Sequence, residues 1–304
     1  MTEQDVLFGI DLGGTKIEAV AMKSTGEVLS RLRVPTERDK GYDHIVGQIK
    51  KALDLVSTEV GIKPQKVGIG TPGAMDPPTG LMKNSNTTVL NGRPFDVDVE
   101  AALGIPIIMA NDANCFAIAE AKLGAAKSYS KGDHIIFGVI MGTGVGGGIV
   151  INGKIWGGAQ GIGGEWGHSF LDASGGMCYC GQIGCVETVI SGTGMERYYR
   201  EQSGVDRKLH DIITAYENGS TDPLVQQTVE RLIHFFGRGI ANVIDILDPT
   251  AVVIGGGLSK VDLLYTKGVA SVEQQLFNPS LHTPILRPEL GDSAGVFGAA
   301  MLVH

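Results

Sequence analysis

"FGIDLGGTKIEAVAMKSTGEVL" (Phe8–Leu29) returns later in the chain as "FGVIMGTGVGGGIVINGKIW" (Phe137–Trp156). Gly138 falls on Gly9, Gly142 on Gly13, and "NGK" stands where the first copy has "TGE". Each copy reads as an apolar strand, a glycine turn, a second strand, a second turn and a third strand, the pattern of an antiparallel meander. A duplicated unit of this size predicts two similar lobes. The copies differ at one telling place: Asp11 in the first is matched by Ile140 in the second, so charged chemistry is expected on the first copy.

Between the copies, "GYDHIVGQIKKALDLVSTEVG" carries apolar residues at Ile45, Ile49, Leu53 and Val56, a helical spacing. "VGIGTPG" and "PIIMANDA" read as short buried strands ending in loops, and strands alternating with helices after a meander predict a mixed α/β sheet. Downstream, Val225, Val229, Leu232, Phe236, Ile240, Val243 and Leu247 mark a long core helix that Asp248-Pro249 stops. His234 within it reads as a packed or edge histidine and not as a ligand. The helix leads into "TAVVIGGGLS", a buried strand running out onto Gly255, Gly256 and Gly257.

A chain of 304 residues with 43% hydrophobic content can bury a sizeable core, and two domains is the expected organisation. The formal charge of -8, with Lys and Arg dispersed, offers no electrostatic footprint for nucleic acid or an anionic membrane. The start "MTEQDVLFGI" lacks the basic and apolar regions of a signal peptide, and the longest apolar stretch is studded with glycines, so a cytoplasmic protein is expected. In a reducing compartment the four cysteines are not read as disulfides.

Three glycine turns follow apolar strands, at Gly13-Gly14, Gly142 to Gly148 and Gly255 to Gly257. Glycine there lets the backbone approach a ligand and aims N–H groups into a nest for phosphate oxygens, although tight hairpins need glycine too. The first turn adds Thr15, Lys16 and Asp11, a carboxylate able to hold Mg2+ through water. None of the turns has the P-loop or dinucleotide spacing. Asp112, in "MANDANCFAIAEA", stands where a strand meets a helix. It reads either as a helix cap or first-turn acid, or as a general base held near an alcohol. Neighbouring Asn111 supplies a donor and an acceptor suited to a sugar hydroxyl.

Seven motifs, "GIDLGGTK", "GTPG", "NDANC", "GTGVGGG", "GEWGH", "CYCGQIGCVE" and "IGGGLS", run in this order along nearly the whole chain. Together they resemble the sugar kinases of the family named for repressors, open reading frames and kinases. The resemblance implies the duplicated actin-like, ribonuclease-H-like ATPase fold: two lobes with a central cleft, residues 1–112 with 290–304 and residues 113–289. It implies ATP-dependent phosphorylation of a hexose with Mg2+, and a homodimer. Carried over, Asp112 is the base, while Asn111, Glu165, His168 and Glu187 hold sugar hydroxyls. Gly13, Gly14, Thr15 and Lys16 face the ATP phosphates with Asp11 near the Mg2+; Gly142, Thr143 and Gly144 face them from the other lobe, and Gly255 to Gly257 lie by the adenosine.

His168, Cys178, Cys180 and Cys185 make four N/S ligands, enough to close a tetrahedral Zn2+ shell with no place for substrate, and their order matches the family's zinc motif. Zinc is therefore expected to be structural, against the alternative of a redox pair or free thiols. Cys115 lies outside the cluster and reads as a core residue. Within the family, "GLMKNSNTTVLNGRPFDVDVEAALG", "CYCGQIGCVETVISGTGM" and "GDSAGVFGAA" resemble the bacterial fructokinase or mannofructokinase branch. The expected substrate is the 6-hydroxyl of fructose, with mannose as a second. Glucokinase and N-acetylglucosamine or N-acetylmannosamine kinase are the alternatives. Asn84 and Asn86 are the candidate specificity contacts, their other reading being turn-forming asparagines. A sugar-sensing regulator is disfavoured, because only ten residues precede Asp11 and because Asp112 and the loop residues are all present.

Overall fold

The computed structural model describes residues 6–304; Met1–Asp5, part of the start read as lacking a leader, lie outside the described residues. The first copy of the repeat folds as β1 (Val6–Leu12), β2 (Lys16–Lys23) and β3 (Val28–Pro35), paired antiparallel with Ile10 opposite Ala19 and Ala19 opposite Leu32. Helix α1 (Tyr42–Val60) then crosses to β4 (Val67–Thr71), which lies parallel to β1. A small hairpin, β5 (Ala74–Asp76) and β6 (Leu81–Lys83), is clasped by Asp76 and Lys83 at 2.6 Å. Helix α2 (Phe95–Leu103) leads to β7 (Ile107–Asn111), parallel to β4, so the sheet order is β3-β2-β1-β4-β7.

After α3 (Asp112–Lys122), the second copy repeats the design. Strands β8 (Ile135–Met141), β9 (Val145–Ile151) and β10 (Lys154–Ile155) are followed, after intervening helices, by β11 (Ala251–Gly255) and β12 (Ile285–Leu286), in the order β10-β9-β8-β11-β12. The inserted helices are α4 (Val186–Ile190), α5 (Gly192–Ser203), α6 (Leu209–Glu217) and α7 (Pro223–Leu247); α8 (Val269–Gln275) and α9 (Ala294–Met301) come later. Helix α7 begins with Pro223 behind the Asp222 cap, whose side chain accepts the Leu224 N–H, and ends at Asp248 in the left-handed conformation. His234 lies exposed on α7 against the Phe235 ring, an edge position.

Strands β1 and β2 are buried almost throughout because both faces of their sheet are covered. On one side the α1 stripe of Ile45, Ile49, Ala52, Leu53 and Val56 joins Phe8, Ile10, Ile17, Ile69 and Phe95 in one core. On the other, α9 packs so closely that a Cβ on Gly68 would run into the Ala299 carbonyl. Helix α9 also presses on α3, where a Cβ on Gly298 would meet the Cys115 backbone. The described chain accordingly forms two compact units: residues through Lys131 with Gly148–Gly164 and Glu289–His304, and Gly132–Gly147 with Glu165–Pro288. The first unit thus takes in α3 as well as residues up to 112, held by the α3–α9 packing. Among the described residues no helix is long and apolar enough to cross a membrane.

Candidate functional site

In the first unit, three parallel strands end side by side. Asp11 on β1 pairs with Gly70 on β4, and Gly70 with Ala110 on β7, one residue before Asn111. Ligands of open α/β sheets bind at such carboxyl ends. The Asp11 carboxylate lies over Gly70, where a Cβ would stand 3.2 Å from Oδ1, and against Gly295, where it would stand 3.0 Å from Oδ2. Burial first, then the negative charges of Asp112 and Glu18, push the Asp11 carboxyl up to about 6, against a smaller pull from Lys16.

The two readings of Asp112 divide between neighbours. Asn111 is the cap of α3, its Oδ1 accepting the Asn114 N–H at 2.8 Å, and Asp112 is the first helical residue, with Oδ1 accepting the Ala113 N–H at 2.8 Å. Although Asp112 keeps solvent access, the protein around it desolvates its carboxyl and raises it above the ordinary range, against the pull of backbone N–H groups. The first glycine turn is closed by the Gly13 N–H donating to the Lys16 carbonyl at 3.0 Å, and the Thr36 hydroxyl donates to the Gly13 carbonyl at 2.7 Å. Thr15 and Lys16 are exposed at the tip. Arg38 stands beside them, its guanidinium 3.8 Å from where a Gly14 Cβ would be. Nothing in the charged stretch "TERDK" singled Arg38 out. Asn84 and Asn86 are exposed, and Asn84 has φ 56, the left-handed conformation that asparagine tolerates in turns.

The Asp11 shift fixes a pH dependence. The folded state holds this proton up to about pH 6 and the unfolded chain only to 3.8, so between those values the native protein binds more protons and loses stability as pH rises. Metal-free protein is expected to gain about 1–3 kcal/mol from this group on going from pH 7.5 to below 4, and Asp11→Asn to be more stable at pH 7.5 by a similar amount. Melting curves of both proteins across that range, compared as a difference, check it; parallel curves would remove the shift.

The second unit gathers two of the glycine loops around one cavity. The Gly142 N–H donates to the Gly144 carbonyl at 2.9 Å, and the Gly192 N–H at the start of α5 donates to the Gly142 carbonyl at 2.8 Å. Thr193 Oγ1 donates to the Thr143 carbonyl at 2.7 Å. Gly256, at φ 78, lies on the end of β8 where any Cβ would strike the Met141 carbonyl. A cavity of about 540 Å3 results, lined by Gly142, Thr143, Thr193, Gly257 and Leu258, with Leu209 and Ile213 on α6 as an apolar wall. Gly255 is buried as the last residue of β11. The signal that could have found the α5 start is a serine cap followed by two glycines, "SGTG", behind an apolar run; the α6 wall carries no motif.

The expected metal ligands converge. One donor atom each from His168, Cys178, Cys180 and Cys185 lie within 4.8 Å of one another. Cys178 Sγ is 3.6 Å from His168 Nδ1, and Cys180 Sγ is 3.5 Å from Cys185 Sγ. A tetrahedron with Zn–S of about 2.3 Å and Zn–N of about 2.05 Å has edges of about 3.6 Å (N–S) and 3.8 Å (S–S), so the donor set fits the ion. Burial, then the neighbouring thiols, pushes Cys185 up to about 12, whereas backbone N–H groups lower Cys180. Tyr179 Oη lies 2.9 Å from His168 Nε2. The "GEWGH" segment is anchored by Trp166 Nε1 donating to the Gly146 carbonyl at 3.1 Å, and Glu187 Oε2 accepts the Val145 N–H at 3.0 Å.

Residues 7–304 match the ROK family over almost the full length of the chain. The chain belongs to the ROK family. An N-acetyl-D-glucosamine kinase of Aliivibrio salmonicida is 35% identical over 305 residues, covering 97% of this chain and 98% of that protein. The ROK hexokinase of Thermus thermophilus superposes with a TM-score of 0.87 at 30% identity, covering 98% of this chain and 97% of its own. A ROK glucokinase of Streptomyces griseus, solved in complex with glucose and AMPPNP, superposes with a TM-score of 0.77 at 29% identity, covering 98% of each chain. The fold is the duplicated actin-like ATPase fold, and the protein is a phosphotransferase acting on a sugar hydroxyl.

The fructose expectation is corrected by these comparisons, since the curated relatives at about 35% identity are N-acetyl-D-glucosamine kinases. The three stretches on which fructose rested show local features that do not depend on which hexose is bound. Asn84 holds a left-handed turn, the cysteine segment brings three thiols to His168, and "GDSAGVFGAA" brings Gly295 onto Asp11 and Gly298 onto Cys115.

Proposed function

We propose that this ROK protein is an ATP-dependent N-acetylglucosamine kinase that phosphorylates the 6-hydroxyl of the sugar. The observation that carries the reading is the full-length identity of 35% to an N-acetyl-D-glucosamine kinase. Asp112, at a strand end with a raised carboxyl, takes the proton from the attacking hydroxyl. Asn111, Glu165, His168 and Glu187 hold the other hydroxyls. The turn of Gly13, Gly14, Thr15 and Lys16, with Arg38 beside it, faces the transferring phosphate; Asp11 would hold Mg2+, which would offset charge developing on that phosphate. Gly142 to Gly144 cradle the phosphates and the cavity beside Gly257, Leu209 and Ile213 takes the nucleoside. His168, Cys178, Cys180 and Cys185 would hold a structural Zn2+ that supplies rigidity to the loop and no Lewis acidity to the sugar.

A coupled assay of ATP consumption with N-acetylglucosamine, N-acetylmannosamine, glucose, mannose and fructose tests the substrate. The expected result is a kcat/KM for N-acetylglucosamine at least about tenfold above each of the others, the discrimination a site gains by pairing a substrate amide with its own buried polar groups. A higher kcat/KM for glucose or for the other acetylated sugar would replace this reading with that one.

A further inference from the structure

Glu187 is read above as a sugar contact, yet its carboxylate already has a second engagement. Oε2 accepts the N–H of Val145, the residue that opens β9 directly after the second glycine loop, at 3.0 Å. A Cβ on Gly144 would run into that same oxygen. Gly144 does not have a left-handed φ, so the backbone there would accept alanine, and the methyl group would instead push the Glu187 carboxylate aside. The loop is thus held along its length from one short stretch of chain. Gly192 holds the Gly142 carbonyl, Thr193 holds the Thr143 carbonyl, and Glu187 holds the Val145 N–H. Glu187 also lies in the first turn of α4, two residues past Cys185, so the metal loop fixes where its backbone sits.

We propose that Glu187 is a positioning residue for the second phosphate loop, a role that rests on the reading of that loop as the nucleotide's. By this route the carboxylate assigned to the sugar also sets the backbone that meets ATP.

The test measures the Kd of AMPPNP for the sugar-free, zinc-loaded protein by calorimetry. Glu187→Ala is expected to weaken it about three- to tenfold, the range for one hydrogen bond lost from a partly buried donor. In Glu187→Gln the amide oxygen still accepts the Val145 N–H, so nucleotide affinity stays within about twofold of wild type while sugar affinity falls. Gly144→Ala weakens AMPPNP by an amount like that of Glu187→Ala, because its methyl group displaces the carboxylate, and the double variant is no weaker than either single one. Zinc content is measured for every protein, and Gly144→Ala leaves all four metal ligands and Glu187 in the sequence. Wild-type protein that does not bind AMPPNP would overturn the nucleotide reading. Wild-type binding with unchanged affinity in Glu187→Ala, or losses that add in the double variant, would overturn the role of Glu187 alone.

Discussion

Replacing Asp112 with asparagine is expected to lower kcat by about 10²–10⁴-fold, the range for losing a general base, with sugar affinity and melting temperature close to wild type. The structure separates this chemical loss from a structural one, because the cap of α3 is Asn111 and not Asp112. The asparagine amide oxygen can still accept the Ala113 N–H that Asp112 Oδ1 now accepts, so the helix start keeps its bond. Asn111→Ala is the contrasting variant: it removes the cap and costs about 0.5–2 kcal/mol of stability. Steady-state kinetics with melting curves for both proteins check the pair. An Asp112→Asn enzyme retaining more than a tenth of wild-type turnover would take the proton transfer away from this residue.

The location of that carboxylate was legible in the sequence and its environment was not. A strand running into "NDANC" already put Asp112 at a strand end. That Asp11 lies near enough for its carboxyl to feel the Asp112 charge follows from β4 being the only strand between β1 and β7, a pairing no local pattern encodes. The repeat announced the two meanders and the matching sheets because duplication leaves its glycines and strand periodicity in register. It could not show that α9, from the far end of the chain, seats against Gly68, since that contact depends on the missing Gly68 side chain leaving room for the distant Ala299 carbonyl. The same limit explains the substrate. Motifs for metal, turn and helix packing are dense and readable, but they build the frame. A choice among hexoses rests on a few side chains placed by that frame, and Asn84 and Asn86, both exposed, carry a sequence signal that is the same for a turn as for a contact.

The second large effect concerns the metal and distinguishes a frame from a reagent. Purified protein is expected to hold about one zinc per chain without supplementation, as thiolate sites bind this ion with large apparent free energies. Cys180→Ser should cut the zinc content and lower the melting temperature by on the order of 10 °C, because three thiols and an imidazole packed within 4.8 Å have no apolar core of their own to fall back on. Sugar KM should rise by about tenfold or more, since His168 and Glu187 both lose the loop that holds them. Elemental analysis, calorimetric melting and initial rates measure the three effects. Substituted metals then decide the role. Four protein donors leave no coordination position for the sugar, so Co2+ and Cd2+ forms that fold should turn over at rates close to the zinc form. An ion that polarised the hydroxyl would instead make kcat follow its own Lewis acidity. Rates that varied with the metal at equal stability would convert the site into a catalytic one. A metal-free protein with full activity and an unshifted melting point would remove it from the function altogether.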